Sequence, residues 1–157
     1  MSEAFIDSPL GTLVIQGDEL GLQRVEFIDE KIPQSERIPV ALEDAVFQLS
    51  DYFEGKRKTF DLKLNPQGTD FQKRVWLQLA QIPFGKTTSY LQMAKDLDDP
   101  KVIRAAASAN GKNPIAIIIP CHRVIGSDNS MTGYAGGIWR KKWLLEHENP
   151  VKQQSLF

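Results

Sequence analysis

Cysteine and histidine are almost missing from this chain. Cys121 is the single cysteine, and 157 residues hold only two histidines. One thiol excludes an internal disulfide, and one thiol with two imidazoles excludes a zinc cluster of the usual spacing. Long apolar runs are missing too: none approaches the roughly 20 residues of a membrane-spanning helix. The opening MSEAFIDSPL lacks the basic and apolar regions of a secretory signal. A cytoplasmic location is therefore the expectation. Neither charge sign dominates, since 19 Lys and Arg face 20 Asp and Glu. The balance is uneven along the chain, however. Residues 1–65 carry seven basic and thirteen acidic side chains, a net of −6; residues 66–157 carry twelve and seven, a net of +5. Only the second part has the balance to meet a polyanion.

What is present fits one sizeable domain or two small ones with a real core. Residues 4–7 and 12–16 read as two strands joined by Ser8-Pro9-Leu10-Gly11, and residues 20–28 as a third, with Leu22, Val25 and Phe27 among its apolar positions. Leu42, Val46, Leu49 and Phe53 fall at helical spacing, predicting a helix over 40–53 ended by Gly55. The alternation of Phe60, Leu62 and Leu64 predicts another strand. This small α/β unit holds no nucleophile–base pair and reads as scaffold. Asn65-Pro66-Gln67-Gly68 is a linker signal. Thr69-Asp70-Phe71-Gln72 has the form of a capping box, opening a helix with Phe71, Val75, Leu79 and Ile82 on one face. Ser89-Tyr90-Leu91-Gln92 has the form of a second, ahead of Met93, Ala94 and Leu97. Asp99 and Pro100 then suit the start of a helix from 101 to about 110, with Gly111 as its C-terminal cap. Two short helices joined by a tight turn make a helix-turn-helix. On the second, Lys101, Arg104 and Ser108 share a face without acids, beside the small Ala105 and Ala107. That face suits either solvent or a nucleic-acid groove.

The chain is organised around Asn113-Pro114-Ile115-Ala116-Ile117-Ile118-Ile119-Pro120-Cys121-His122-Arg123-Val124. An apolar run, expected as a strand, ends in a proline followed by a thiol and an imidazole. A lone cysteine is most often a small core residue. A base beside it points instead to a nucleophile, because a thiol at neutral pH is only a few per cent thiolate and needs activation. Adjacent side chains rarely bond directly, but a water at a turn bridges them, and a carboxylate on the far side of His122 would fix its tautomer. Tyr90 is a phenol placed to give up a proton. Residues 126–133 read as a polar turn between extended pieces, like a wing. Gly133-Tyr134-Ala135-Gly136-Gly137 lacks the Lys-Ser/Thr ending of a phosphate loop, and its glycines suit a tight curl over a pocket. Residues 138–147 form the last predicted helix, with Trp139 and Trp143 one turn apart, and 151–157 form a loosely tethered tail.

The combination resembles the active-site signature of the O6-alkylguanine-DNA alkyltransferases, also called methylated-DNA–protein-cysteine methyltransferases. The motifs that carry it are Phe71-Gln72, Val75-Trp76, Ile82-Pro83-Phe84-Gly85, Ser89-Tyr90, Arg104-Ala105, Asn113-Pro114, Pro120-Cys121-His122-Arg123-Val124, Gly133-Tyr134-Ala135-Gly136-Gly137 and Leu144-Leu145-Glu146-His147-Glu148, in matching order and spacing over residues 66–149. The resemblance implies an α+β fold. A small N-terminal ribonuclease-H-like α/β domain (1–65) is followed by a helical, winged helix-turn-helix-like C-terminal domain (66–157). It implies direct-reversal DNA repair, in which Cys121 takes the alkyl group from O6-alkylguanine irreversibly and once; O4-alkylthymine is a further candidate substrate. His122 would deprotonate Cys121 through a water, Glu148 would orient His122, and Tyr90 would donate to the extruded base. Asn113 would hold the turn before the thiol, and Arg104 would fill the gap left in the duplex. Tyr134 and the Gly136-Gly137 backbone would line the pocket, where the Cys121 and Val124 carbonyls read the guanine. Lys101 and Ser108 would meet the DNA backbone, while Arg123 reads as structural. The implied partner is double-stranded DNA containing alkylated guanine, met through the minor groove with little sequence preference by a monomer away from membranes. No cofactor or metal is implied; the N-terminal cysteines that bind zinc in some members are absent. Ala107 and Ala135 stand where many members carry glycine and serine, which bears on the breadth of alkyl groups accepted.

The physics agrees. The target oxygen lies in the base stack, so the nucleotide must be flipped out at a cost of a few kcal/mol. A small-residue helix face permits close minor-groove approach, and a wedge side chain fills the vacancy. Two other readings are open at this point. One is a non-enzymatic alkyltransferase-like lesion binder, which would lack the reactive cysteine. The other is a helix-turn-helix regulator with Cys121 merely buried. Reaction of Cys121 with a benzylated guanine base separates both from the repair protein.

Overall fold

Alternating β-branched and apolar residues in the first 28 positions form a three-stranded antiparallel sheet in the order β1 (Ser2–Ser8), β2 (Gly11–Asp18), β3 (Gly21–Ile28). A computed structural model describes residues 1–126 and 133–150 of the chain. The wing expected over 126–133 falls almost wholly outside the described residues, and so does the tail at 151–157.

The chain forms two compact units. The first comprises Met1–Gln67 with Pro114–Ile118. Ala4 and Ile6 of β1 and Val25 and Phe27 of β3 are buried at period two, whereas Thr12, Leu13, Val14 and Ile15 of the central β2 are buried without alternation, covered on both faces. After a 3-10 turn, Val40–Leu42, helix α1 runs Glu43–Phe53. Its buried residues are Ala45, Gln48, Leu49 and Tyr52, following Leu42. Val46 and Phe53 therefore do not lie on the buried stripe as their spacing suggested, and Phe47 is 62% exposed. The expected strand over 60–64 is reduced to one parallel bridge, Leu22 with Leu64. The reason is local: the Gln48 side chain accepts from Asp61 N–H at 2.9 Å and donates to Asp61 carbonyl at 3.1 Å, so a side-chain amide takes the place of a neighbouring strand.

The apolar run 115–119 is not a strand either. Val25 N–H donates to Pro114 carbonyl and Ala116 N–H to Val25 carbonyl, giving a single bridged pair, Val25 with Ile115. The chain then turns. Ile118 N–H donates to Ala116 carbonyl at 2.8 Å, and Ile117 has φ 71°. A β-branched residue there is strained, by about 1–3 kcal/mol. Ile115, Ile117 and Ile119 are buried, so apolarity here marks burial of a turn rather than a strand.

The second unit comprises Gly68–Asn113 with the described residues from Ile119 on. Thr69 caps α2 (Asp70–Leu79) in a complete capping box with Gln72. Ser89 caps α3 (Tyr90–Asp96), but Gln92 does not return the bond: its side chain donates to Asp96 Oδ1 at 2.9 Å. Asp99 accepts from Lys101 N–H, and a 3-10 turn, Pro100–Val102, leads into α4 (Ile103–Gly111). Gly111 is the last helical residue and Lys112 the cap. Gly111 is thus not the left-handed stop its sequence suggested. Val75, Trp76 and Leu79 pack with Met93, Ala94, Ala106 and Ala109 in this core, and Trp76 Nε1 donates to Ala109 carbonyl at 2.8 Å, tying α2 to α4. Two-residue strands β4 (Thr88–Ser89) and β5 (Val124–Ile125) pair in parallel, and α5 (Ile138–His147) closes the unit.

Candidate active site

Cys121 opens a 3-10 turn, Cys121–Arg123, between Pro120 and β5. Its backbone is pinned on both sides. Cys121 N–H donates to Ile119 carbonyl, Arg123 N–H to Pro120 carbonyl, and Asn113 Nδ2 to Ile119 carbonyl at 2.7 Å. The thiol is buried, and burial pushes it up; a hydrogen bond with Asn113 and the charge of Lys141 pull the other way. The net rise keeps Cys121 a neutral thiol at neutral pH, so a base must take its proton before it reacts.

His122 is fully buried, with Nε2 2.8 Å from Glu148 Oε2. Burial alone would raise the Glu148 carboxyl, but the hydrogen bonds and charges of His122 and Arg123 outweigh it and hold the group at about 2. Glu148 is therefore ionised and can only accept. Nε2 must carry the shared hydrogen, which leaves the lone pair on Nδ1. Nδ1 has no hydrogen-bond partner among the described residues. Burial lowers His122 against the pull of Glu148, so the ring is neutral and able to accept a proton.

An acid at a helix C-terminus opposes the helix dipole, and Glu148 caps α5. Arg123 compensates as a two-pronged clamp, Nε to Oε1 at 2.7 Å and Nη2 to Oε2 at 3.0 Å. Its Nη1 donates to Ile82 carbonyl at 2.7 Å, and its guanidinium lies 5.8 Å from the Phe84 ring centre. Gly85, at φ 80°, leaves room where a Cβ would come within 3.2 Å of Glu148 carbonyl. Ile82-Pro83-Phe84-Gly85 is thus the socket of the Arg123–Glu148 pair.

The parallel pair β4–β5 sets Thr88 opposite Val124 and Ser89 opposite Ile125, which brings Tyr90, at the start of α3, beside the Cys121 turn. Tyr90 Oη donates to Gly133 carbonyl at 3.4 Å. Lys141, on the buried face of α5, donates from Nζ to Val124 carbonyl at 2.6 Å and lies 5.9 Å from the Tyr90 ring centre. Burial lowers Lys141, while the neighbouring Cys121 raises it. A cavity of about 650 Å³ opens beside these groups, walled by Tyr90, Ile103, Arg104, Ala107, Gly111, Gly133, Tyr134 and Ala135. Its mostly apolar lining, with two phenols and one guanidinium, suits a flat ligand with a few hydrogen-bonding groups.

Family models match both parts of the chain: "6-O-methylguanine DNA methyltransferase, ribonuclease-like domain" over residues 1–66, and its DNA binding domain over residues 70–150. The chain belongs to the 6-O-methylguanine DNA methyltransferase family. Among its curated relatives, the methylated-DNA–protein-cysteine methyltransferase of Methanosarcina barkeri is 46% identical, covering 91% of this chain and 94% of its own. That of Mycobacterium tuberculosis is also 46% identical, covering 91% and 89%. A crystal structure of Mycobacterium tuberculosis OGT in complex with DNA superposes with a TM-score of 0.83 at 43% identity, covering 98% of both chains. The α+β expectation, with a ribonuclease-like domain ahead of a helical DNA-binding domain, holds.

In this methyltransferase fold, the expected residues fall into three groups. Half-buried Asn113 bonds the buried Cys121 and the Ile119 carbonyl, and Glu148 bonds the buried His122 next to that thiol in the chain. Tyr90, Arg104 and Tyr134 wall the cavity, whereas Val124, Gly136 and Gly137 are not among its lining residues. Lys101 and Ser108 are exposed with Arg104 on one face of the 100–111 segment but do not reach the cavity. Cys121 is not itself a wall. Tyr134 is, and it lies close enough to the thiol for the charge of Cys121 to act on it; burial pushes its phenol far up. Sequence reasoning missed Lys141 and understated Arg123. Lys141, Leu144 and Glu148 recur at helical spacing, so the position of Lys141 on the stripe of Glu148 was the available signal.

Proposed function

We propose that this protein repairs O6-alkylguanine in DNA by moving the alkyl group onto Cys121. The observation that carries the reading is the buried Arg123–Glu148–His122 array, which ends in an Nδ1 without a partner among the described residues, on the residue next to the one thiol in the sequence. The thiol proton passes to His122 Nδ1 through a water. The sulfur–carbon bond forms as the carbon–O6 bond breaks, and the electron pair left on guanine is neutralised by a proton from Tyr90. The proton on His122 then restores Tyr90 through solvent, so the thiol proton ends on guanine. The thioether has no partner to displace it, and each molecule acts once.

Residues 66–157 carry DNA binding and chemistry in this reading, and residues 1–65 act as scaffold. The DNA complex of a 43% identical relative supports DNA as the partner, here taken as a duplex. Arg104, on an exposed helix face at the cavity wall, fills the gap left by the flipped nucleotide, with Lys101 and Ser108 on the phosphate backbone and the Cys121 and Val124 carbonyls on the guanine edge. O4-alkylthymine is a second substrate of the same pocket. The protein works as a monomer in the cytoplasm, where reducing conditions keep a lone thiol free. No helix of the described residues is long and apolar enough to cross a membrane. Intact-mass analysis after incubation with methylated duplex, followed by peptide mapping, tests the proposal. One added methyl on Cys121 is expected; an unmodified protein, or a methyl elsewhere, overturns it.

A further inference from the structure

We infer that Arg140, tucked against Trp139, is a positioning residue that sets how large an alkyl group the pocket accepts, by strapping down the turn that carries Tyr134. The inference rests on alkyl transfer to Cys121 and extends it to specificity.

The turn is built from Tyr134 to Gly137. Gly137 N–H donates to Tyr134 carbonyl at 2.9 Å, and Gly137 takes φ 96°. Two consecutive glycines make such a turn easy to deform. Among the described residues, α5 bonds it at two places. Lys141 N–H donates to Gly137 carbonyl at 3.2 Å, and Arg140 Nη1 donates to Gly136 carbonyl at 3.0 Å. The second is charge-assisted and half-buried, running from Arg140, only 5% exposed, to the half-buried Gly136. Its guanidinium lies 4.6 Å from the ring centre of Trp139, which is itself 56% exposed and shields the cation from water.

The strap reaches the pocket through Gly136. A Cβ built on Gly136 would lie 2.7 Å from Tyr134 Cε2 and 3.4 Å from Arg140 Cδ, so the Tyr134 ring packs directly on this backbone. Tyr134 walls the cavity, and its hydroxyl has no hydrogen-bond partner among the described residues. Among the described residues no polar bond holds its tip, and the Gly136 backbone packs under the ring. Trp139, Arg140, Gly136 and Tyr134 form a chain from an exposed aromatic to the wall beside the thiol. Releasing the strap lets that wall move outward. A methyl group then loses its close fit, while a benzyl group gains the space it needs.

The test compares single-turnover transfer from O6-methylguanine and from O6-benzylguanine in the same duplex, on the full chain. For Arg140→Met the methyl rate should fall about tenfold, within what a misplacement of under 1 Å costs, and the benzyl rate should fall less or rise. The benzyl-to-methyl ratio should therefore increase. Arg140→Lys, which keeps a cation to donate to Gly136, should return the ratio toward that of the parent. Trp139→Ala should shift the ratio the same way by a smaller factor; being exposed, it tests the strap even if Arg140→Met folds poorly. Equal losses on both substrates, or an unchanged ratio in all three variants, would overturn the strap. Failure of the unaltered protein to transfer either group would overturn the alkyl-transfer reading and this inference with it.

Discussion

Glu148 balances three demands at one carboxylate. It orients His122, neutralises Arg123 and terminates α5. Held at about 2 against an ordinary 4.5, it contributes about 3 kcal/mol at neutral pH by linkage. Because its folded value lies below the unfolded one, that stability is present above pH 4.5 and drains away as the pH falls toward 2. His122, lowered in the fold, adds a loss in the same direction below its ordinary 6.5, where the unfolded chain binds a proton that the folded chain refuses. Glu148→Gln leaves the buried Arg123 without its countercharge, so about 3–5 kcal/mol of stability should go, and transfer should slow about a hundredfold. Urea unfolding of the variant should be flatter between pH 5 and 3 than that of the parent; parallel curves would remove Glu148 from the acid response. Lys141 acts on the nucleophile. Lys141→Met removes a cation that lowers Cys121, so transfer should slow about tenfold or more. The pH profile of Cys121 alkylation by iodoacetamide should also move upward. An unmoved profile would remove Lys141 from the activation of the thiol.

At the scale of elements, α4 presents Arg104 at the cavity while Ala106 and Ala109 pack inward. If Arg104 replaces the flipped nucleotide, it matters only where a stack must be opened. Unstacking costs a few kcal/mol, so Arg104→Ala should repair duplex slower by an order of magnitude or more and react with free O6-benzylguanine at nearly the parent rate. Lys101→Ala should instead weaken binding to every duplex and reduce its salt dependence slightly. Equal slowing on duplex and free base would put Arg104 in the pocket or the fold. The elements also show where sequence patterns mislead. Thr69 and Gln72 made their capping box because both partners lie within one turn. Gln92 had the same spacing but bonded Asp96, an equally local competitor. The alternation at 60–64 met a glutamine side chain instead of a strand.

At the scale of the whole molecule, one thiol and no second cysteine mean that activity is consumed with the substrate. Lesions repaired should plateau at one per protein molecule, and continued removal past equimolar lesion would end the single-use mechanism. The sequence by itself determined the lone thiol with an imidazole next to it and the division into an acidic and a basic part, and it pointed to Tyr90, Arg104 and Tyr134 but not to Ile103 or Gly111 of the cavity wall. These follow from residue type and short spacing, which local chemistry governs. Tertiary structure alone decided that Arg123 clamps the acid, that Lys141 is buried beside the thiol, and that residues 114–118 belong with the first unit as a turn. Each of these depends on groups distant in sequence meeting where water is excluded. Spacing along a chain carries no record of which side chain will share a buried charge.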